Sequence, residues 1–84
     1  MITIKLFAIL RDKAGKDEIR MNAGPCTVSE LLGLISLKYP SLSDIIKEGR
    51  LLISINREFA KRDAQVKDGD EVGLMPPFSG GALK

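Results

Sequence analysis

Hydrophobic and polar side chains alternate at the start of this 84-residue chain. Ile2, Ile4 and Leu6 fall on one side of the segment, whereas Phe7 falls on the other side. A period of two residues is typical of a strand with one buried face. We therefore predict a strand over residues 2–9, with Phe7 on the face opposite the core.

A second strand follows after a short polar stretch. Residues 11–16 contain Gly15 and favour a turn, because glycine adopts backbone conformations that other residues avoid. Residues 17–21 then alternate again, with Ile19 and Met21 facing inward. The two strands are therefore predicted to form an N-terminal hairpin.

A helical period replaces the alternation after Thr27. Thr27 and Glu30 have the spacing of a capping box, in which each side chain accepts a hydrogen bond from the other residue's backbone N–H. Pro40 cannot continue a helix, so we predict a main helix over residues 28–38. The apolar stripe predicted for this helix comprises Val28, Leu31, Leu32 and Ile35, with Leu34 as a further candidate.

Two further segments carry regular apolar patterns. Residues 41–49 predict a short second helix that ends near Gly49. Residues 51–56 alternate and predict a third strand. The apolar residues that define these two segments are Ile45, Ile46, Leu51, Ile53 and Ile55.

The last regular segment is a strand over residues 71–75, which lies between a glycine-containing turn and a pair of prolines. Val72 and Leu74 are predicted to face inward and Met75 outward. The order of the elements favours an α+β fold, with one sheet of four or five strands packed on one main helix plus a short helix. A β-grasp arrangement is the simplest closure of that order.

The length of the chain limits it to one small core. We place a single domain at residues 1–77. Residues 78–84 are expected to form a flexible C-terminal tail that contains Gly80 and Gly81.

Composition argues against several classes of function. The 13 basic and 11 acidic residues give a formal net charge of +2 and form no basic stripe, so nucleic-acid binding is not indicated. No segment approaches the roughly 18 apolar residues of a membrane span, and no basic leader precedes an apolar run, so we expect a cytoplasmic protein that does not bind membranes. With no His and one Cys, the sequence supplies neither a zinc site nor the usual general base. We therefore expect no metal site and no active site of the chain's own.

The C-terminal segment carries a resemblance to a known family. Gly80-Gly81 follow Pro76-Pro77 after a short spacer, and Lys67–Val72 precede both pairs. Together with Leu6–Ala8 and Leu52–Asn56, these segments resemble the small subunit of molybdopterin synthase and the related ubiquitin-like sulfur carriers. A Gly-Gly ending alone is a weak motif, but here the resemblance runs through nearly the whole chain.

The resemblance implies a chemical role for the two glycines. In the family, a ubiquitin-activating-type adenylyltransferase adenylates the terminal carboxylate, here that of Gly81, which then becomes a thiocarboxylate for the large subunit of molybdopterin synthase. Gly80 allows the extended end to enter a narrow channel, because it has no Cβ. ATP and the sulfur donor are used by the activating partner, so no cofactor is expected on this chain. The resemblance also implies a mixed sheet in which the first and last strands pair in parallel.

The sequence departs from the family pattern after Gly81. The family usually ends at its second glycine, whereas this chain continues with Ala82-Leu83-Lys84. We interpret this form as a precursor that a protease trims after Gly81. A cloning remnant, a natural variant no longer used as a carrier, and a fragment of a longer fusion are the alternatives.

Large apolar side chains outside the predicted core suggest a partner-docking surface. Phe7 and Met75 point away from the core side of their strands, and Phe59 lies in a polar stretch. Clustered exposed apolar groups mark interfaces, whereas coverage by loops or by the tail is the structural alternative. These positions match hydrophobic contact positions of the family. The candidate partner-binding set comprises Phe7, Phe59, Met75, Pro76, Pro77 and Phe78.

Four further residues have both a functional and a structural interpretation. Cys26 precedes a helix N-terminus, where a lowered pKa would suit a persulfide relay, but a small loop cysteine is the simpler interpretation. Arg11, Lys61 and Arg62 are candidates for contact with an acidic partner or a pterin phosphate. Solvated surface charge is the simpler interpretation of these three.

Three alternative functions stay open at this point. A thiamine-pathway sulfur carrier shares the fold and the Gly-Gly ending, but it is typically shorter. A ubiquitin-like protein modifier would attach Gly81 to lysines of other proteins. A non-carrier β-grasp interaction module would have a tail without chemistry.

Overall fold

The computed structural model describes residues 1–76, which form seven strands and three α-helices. A 3₁₀ turn at Pro40–Leu42 directly precedes the third helix. In chain order the elements are β1 (Ile2–Leu6), α1 (Ile9–Ala14), β2 (Glu18–Met21), β3 (Cys26–Thr27), α2 (Val28–Lys38), α3 (Ser43–Lys47), β4 (Leu52–Ile55), β5 (Glu58–Phe59), β6 (Gln65–Val66) and β7 (Glu71–Met75).

Five of the strands form one mixed sheet. β1 and β7 lie side by side and run parallel, with Leu6 opposite Leu74. β2 pairs antiparallel with β1, and β4 and β5 extend the sheet antiparallel beyond β7. The resulting order is β2-β1-β7-β4-β5, while β3 and β6 form a separate two-stranded pair. The structure thus confirms the α+β class and the β-grasp arrangement with a mixed sheet.

One face of the sheet packs against α2 and forms the hydrophobic core. Ile4 of β1, Val72 of β7 and Leu31 of α2 are fully buried, as the period of two in the strands and the helical stripe require. Both inward residues predicted for β7 are therefore confirmed. The buried apolar residues are Ile2, Ile4, Leu6, Leu10, Ile19, Val28, Leu31, Leu32, Ile35, Leu42, Ile46, Leu51, Ile53, Val66, Val72 and Leu74.

The connection between the first two strands differs from the prediction. Residues 2–9 do not form one continuous strand, because β1 ends at Leu6 and Ala8 adopts a positive φ of 54°. The helix α1 follows, buries Leu10 completely, and ends at Gly15, whose φ is 76°. The predicted turn over residues 11–16 is therefore confirmed only at Gly15, and the residues before it form a third helix that was not predicted. The antiparallel pairing of β1 with β2 is confirmed.

The main helix begins and ends where the sequence indicates. The Thr27 hydroxyl accepts from the Glu30 N–H at 3.1 Å, and the Glu30 carboxylate accepts from the Thr27 N–H at 2.9 Å, so the capping box is present. Leu34 is not part of the buried stripe, since it is 42% exposed. At 3.6 residues per turn it lies beside the stripe rather than within it. The predicted short helix is also present, as the 3₁₀ turn followed by α3.

Candidate functional site

The face of the sheet opposite α2 carries the candidate site, and we call it the open face. Its centre is a row of directly paired positions that crosses all five strands. Lys5 of β1 lies between Glu18 and Gly73, and Ser54 of β4 lies between Gly73 and Phe59. Side chains on one face of adjacent strands contact each other, so these residues form one continuous surface.

An apolar depression of about 380 Å³ occupies this face. Phe7, Phe59 and Met75, which the sequence analysis grouped as candidate docking residues, all line it. Phe7 is 46% and Phe59 75% exposed, and Met75 is half-buried. The structure therefore brings together three residues that lie far apart in the sequence. The other residues that line the depression are Lys5, Ser54, Arg57, Glu71 and Gly73.

Gly73 determines the depth of the depression. A Cβ built at this position would lie 2.5 Å from the Ser54 Oγ and 3.6 Å from the Phe7 ring. The first distance is shorter than real contacts allow, so any larger residue would displace Ser54. The absence of a side chain at Gly73 therefore lets Ser54 and Phe7 approach each other over the central strand.

An aspartate anchors the β4–β5 hairpin to the start of β7. The Asp70 carboxylate accepts hydrogen bonds from the Lys67 N–H at 2.8 Å and the Asn56 side-chain amide at 3.0 Å. Asn56 also donates its backbone N–H to the Glu71 carbonyl at 2.7 Å and accepts the Glu71 N–H through its side-chain oxygen at 3.0 Å. These hydrogen bonds, that from Lys67 first and that from Asn56 second, hold the pKa of Asp70 below its ordinary value. The network fixes the hairpin that carries Phe59.

The charged groups near the edge strand β2 are largely paired. Lys5 Nζ lies 3.2 Å from one Glu18 carboxylate oxygen, and Arg20 Nε lies 3.0 Å from the other. The hydrogen bond from Lys5, followed by that from Arg20, lowers the pKa of Glu18. Glu18 therefore forms an ion pair with Lys5 at one side of the depression and shares its carboxylate with Arg20.

The remaining candidates lie outside the depression. Arg11 is exposed on α1, and Lys61 is exposed between β5 and β6. Arg62 is half-buried, and its Nη2 has no hydrogen-bond partner within residues 1–76, which differs from a freely solvated charge. Burial, with a smaller contribution from the Glu30 charge, raises the pKa of the Cys26 thiol. That direction is opposite to the one that a persulfide relay would need.

Five residues of this site were not predicted from the sequence: Lys5, Ser54, Arg57, Glu71 and Gly73. Alternation does place Lys5 and Phe7 on one face of the first strand and Ser54 on the outer face of the third. The alternation does not show that the first and third predicted strands both pair with β7, nor in which register they do so. The residues of the site converge only once the parallel β1–β7 pairing is known.

The tail follows the central strand of the sheet. β7 ends at Met75, Pro76 is half-buried, and Gly80 and Gly81 follow five and six residues after Met75. The predictions for Pro77, Phe78, Gly80 and Gly81 lie outside the described residues. The strand that precedes the tail in the sequence is thus the central strand of the sheet, and its last residue, Met75, lines the depression.

Within residues 1–76, no three His, Cys, Asp or Glu side chains converge in a way that could hold a metal ion. None of the helices in that range is long and apolar enough to cross a bilayer.

Comparisons with known proteins identify the family. The chain is 31% identical over 81 residues to the molybdopterin synthase sulfur carrier subunit of Escherichia coli, covering 96% of this chain and 100% of that protein. It is 36% identical over 83 residues to the sulfur carrier subunit of Dictyostelium discoideum, covering 93% of each. The crystal structure of SAMP1 from Haloferax volcanii superposes with a TM-score of 0.82 at 31% identity, covering 95% of this chain and 98% of that one. The ThiS family model matches residues 4–81, and the chain belongs to the ThiS family.

Proposed function

We propose that this chain is a sulfur carrier for the biosynthesis of molybdopterin, the pterin of the molybdenum and tungsten cofactors. The observation that carries the proposal is the nearly full-length similarity to curated molybdopterin synthase sulfur carrier subunits. The family match extends through Gly81, the residue to which the sequence analysis assigns the chemistry. The fold supports the proposal because the last strand, which leads to the tail, is central and firmly paired.

The chemistry takes place at the carboxylate of Gly81. A carboxylate oxygen attacks the α-phosphorus of ATP, and pyrophosphate leaves, which gives an acyl adenylate. Sulfur at the sulfide level, delivered by a donor, then attacks the carbonyl carbon and displaces AMP. The product is a thiocarboxylate, in which one sulfur atom stands in place of one carboxylate oxygen. ATP and the donor belong to the activating adenylyltransferase in this scheme, and the chain is a substrate in the cytoplasm.

Ala82-Leu83-Lys84 must be removed before this chemistry, because Gly81 has no free carboxylate while they are attached. We assign the removal to a protease that cleaves after Gly81. Gly80 and Gly81 then form an end without Cβ atoms, which is able to enter a narrow channel in an extended conformation.

The open face is the surface that the proposal assigns to docking of the large subunit of molybdopterin synthase. Phe7, Phe59 and Met75 supply apolar area around a depression, and methionine adapts its shape to more than one partner. Met75 both ends β7 and lines the depression, so the last described strand ends at the docking surface. A partner seated there is well placed to receive the tail in its own active site.

The test is activation of three purified forms by the adenylyltransferase, with ATP and a sulfur donor. We expect a chain shortened to end at Gly81 to gain the mass of one sulfur in exchange for one oxygen. The chain of 84 residues should stay unchanged until a protease trims it. The variant Gly81→Ala of the shortened form should react more slowly because its Cβ crowds the channel, while its folding stays the same.

Two results would contradict the carrier assignment. One is activation of the full-length chain without trimming. The other is unimpaired cofactor synthesis in cells whose copy lacks Gly80 and Gly81. Unimpaired synthesis would favour a β-grasp interaction module without carrier chemistry, whereas activation without trimming would place the reacting carboxylate on a residue other than Gly81.

A second candidate function is protein modification. The similarity to SAMP1 of Haloferax volcanii, whose full name is small archaeal modifier protein 1, favours it. The adenylate of Gly81 would then pass to a lysine amine of another protein, and AMP would leave. Mass spectrometry of native-host extracts distinguishes the two, since modification leaves Gly81 in an amide bond with a lysine and the carrier role leaves a thiocarboxylate.

A further inference from the structure

The turn between β4 and β5 contains an arginine in a conformation that arginine rarely adopts. Ile55 pairs with Glu58, so Asn56 and Arg57 alone connect the two strands. Their φ angles are 50° and 73°. Positive φ at both positions is characteristic of the type I′ hairpin turn, which favours the pair Asn-Gly. An L-residue with a side chain beyond Cβ at the second position is strained, and glycine would relieve the strain.

The first of the two residues has a structural reason to be there. Asn56 uses its backbone N–H and both side-chain atoms in hydrogen bonds to Asp70 and Glu71. Asparagine also tolerates the left-handed conformation better than most residues. No comparable bond explains Arg57. Within residues 1–76, its guanidinium has no carboxylate within 4.0 Å and forms no side-chain hydrogen bond.

The position of Arg57 relates it to the docking surface. It is exposed and lines the same depression as Phe7, Phe59 and Met75. The other cation in the lining is Lys5, which forms an ion pair with Glu18 at 3.2 Å. Glu71 also lines the depression, but no ion pair within 4.0 Å joins it to Arg57 in the described part of the chain. Within residues 1–76, Arg57 is therefore the cation of this lining that forms no ion pair.

We propose that Arg57 is a specificity-determining residue that binds a carboxylate on the large subunit when that subunit docks on the open face. This inference rests on the proposed function. A guanidinium binds a carboxylate through two parallel hydrogen bonds, which fixes orientation as well as charge. Arginine beside aromatic side chains is also a frequent centre of binding energy in interfaces. A strained backbone conformation at such a position is typical of a residue with a role in recognition.

The experiment measures binding and stability of the same variants. Calorimetric titration of the purified large subunit with the chain ending at Gly81 gives the affinity, and urea unfolding gives the stability. Arg57→Gly should bind about tenfold to a hundredfold more weakly, because a hydrogen-bonded ion pair is lost. Its unfolding midpoint should equal or exceed that of the parent, since glycine suits the positive φ. Arg57→Lys should recover only part of the affinity, because an ammonium group cannot form the paired hydrogen bonds.

Arg50→Gly is the matched control, because Arg50 is an exposed loop arginine outside the depression and its removal should leave the affinity unchanged. Binding of the parent chain distinguishes a failure of the proposed function from a failure of the role of Arg57 alone. If the parent does not bind the large subunit, the proposed function fails and the role of Arg57 fails with it. If the parent binds and Arg57→Gly binds equally well, only the role of Arg57 is overturned. A loss of affinity that accompanies a lower unfolding midpoint would also overturn it, in favour of a structural role.

Discussion

The two faces of the sheet are built from the same strands but have different chemistry. On the face covered by α2, the residues of β1 and β7 are branched apolar side chains, and Ile4 and Val72 are fully buried there. On the open face the intervening positions hold Lys5, Gly73 and an exposed Phe7. Alternation along a strand thus separates residues that stabilise the fold from residues that are free to meet a partner.

The difference has a direct energetic meaning. Burial of one aliphatic side chain contributes about 1.5–3 kcal/mol to stability, whereas a side chain that stays in water contributes little. Substitutions on the covered face should therefore change the free energy of unfolding. Substitutions on the open face should change affinity for a partner and leave the fold intact.

The largest effect is expected on the covered side, and α2 offers a matched pair. Leu31 is fully buried, whereas Leu37 on the same helix is 81% exposed. Leu31→Ala should lower the free energy of unfolding by about 2–5 kcal/mol, because it removes buried methyl groups and leaves a cavity. Leu37→Ala should change it by less than about 0.5 kcal/mol. Urea unfolding followed by circular dichroism measures both, and equal losses would show that the outer side of α2 also contributes to the core.

The next effect concerns the open face and appears in binding. Replacing Phe7, Phe59 or Met75 by Asp should weaken binding to the large subunit by about 2–4 kcal/mol, because a charge would be buried in an apolar contact. Leu37→Asp is the matched control, since Leu37 is exposed on the opposite side of the molecule. Calorimetric titration measures the affinity. If the variants of the open face lose their folded circular dichroism, these side chains belong to the core and the division between the two faces fails.

The smallest effect concerns the hairpin that carries part of the open face. Because the folded pKa of Asp70 lies below its unfolded value, the folded state binds this proton more weakly than the unfolded state. Its contribution is complete above the unfolded pKa of about 4 and is lost as the pH falls through the folded pKa.

Asp70→Ala should therefore lower stability at neutral pH by about 1–3 kcal/mol and remove part of the loss of stability in acid. Asp63→Ala, at an exposed position in the preceding loop, is the control. Urea unfolding at a series of pH values tests the idea. Parallel profiles for the parent and Asp70→Ala would mean that another group causes the acid sensitivity.

Local patterns were sufficient to predict much of the fold. The bounds of α2 follow from Thr27, Glu30 and Pro40, all of which act within a few residues of the helix ends. The α1 helix was not predicted, because the alternation of side chains in β1 continues through residue 9 in the sequence. The backbone nevertheless leaves the strand direction at Ala8, which has a positive φ. The single fully buried residue of α1, Leu10, gives no periodic signal. A pattern two turns long or shorter does not distinguish a helix from an extended segment.

The candidate site was predicted only in part, for a different reason. The exposure of Phe7 follows from the alternation along the first strand, and that of Phe59 follows from the polar residues around it in the sequence. Gly73 and Ser54 join the site through the pairing of β7 with β4, and Arg57 joins it through the hairpin turn. These relations connect residues across the sheet, and periodicity along one segment contains no information about them.

The parallel pairing of β1 with β7 also constrains how the protein is made. Ile4 and Val72 are partners in the centre of the sheet although they come from opposite ends of the chain. During synthesis on a ribosome, β1 therefore cannot pair with the central strand until β7 has emerged. A nascent chain that stops before residue 71 lacks that strand and leaves β1 and β4 without their shared neighbour. The strand that completes the sheet ends five residues before Gly80, so the last strand and the Gly80-Gly81 segment are synthesised close together in time.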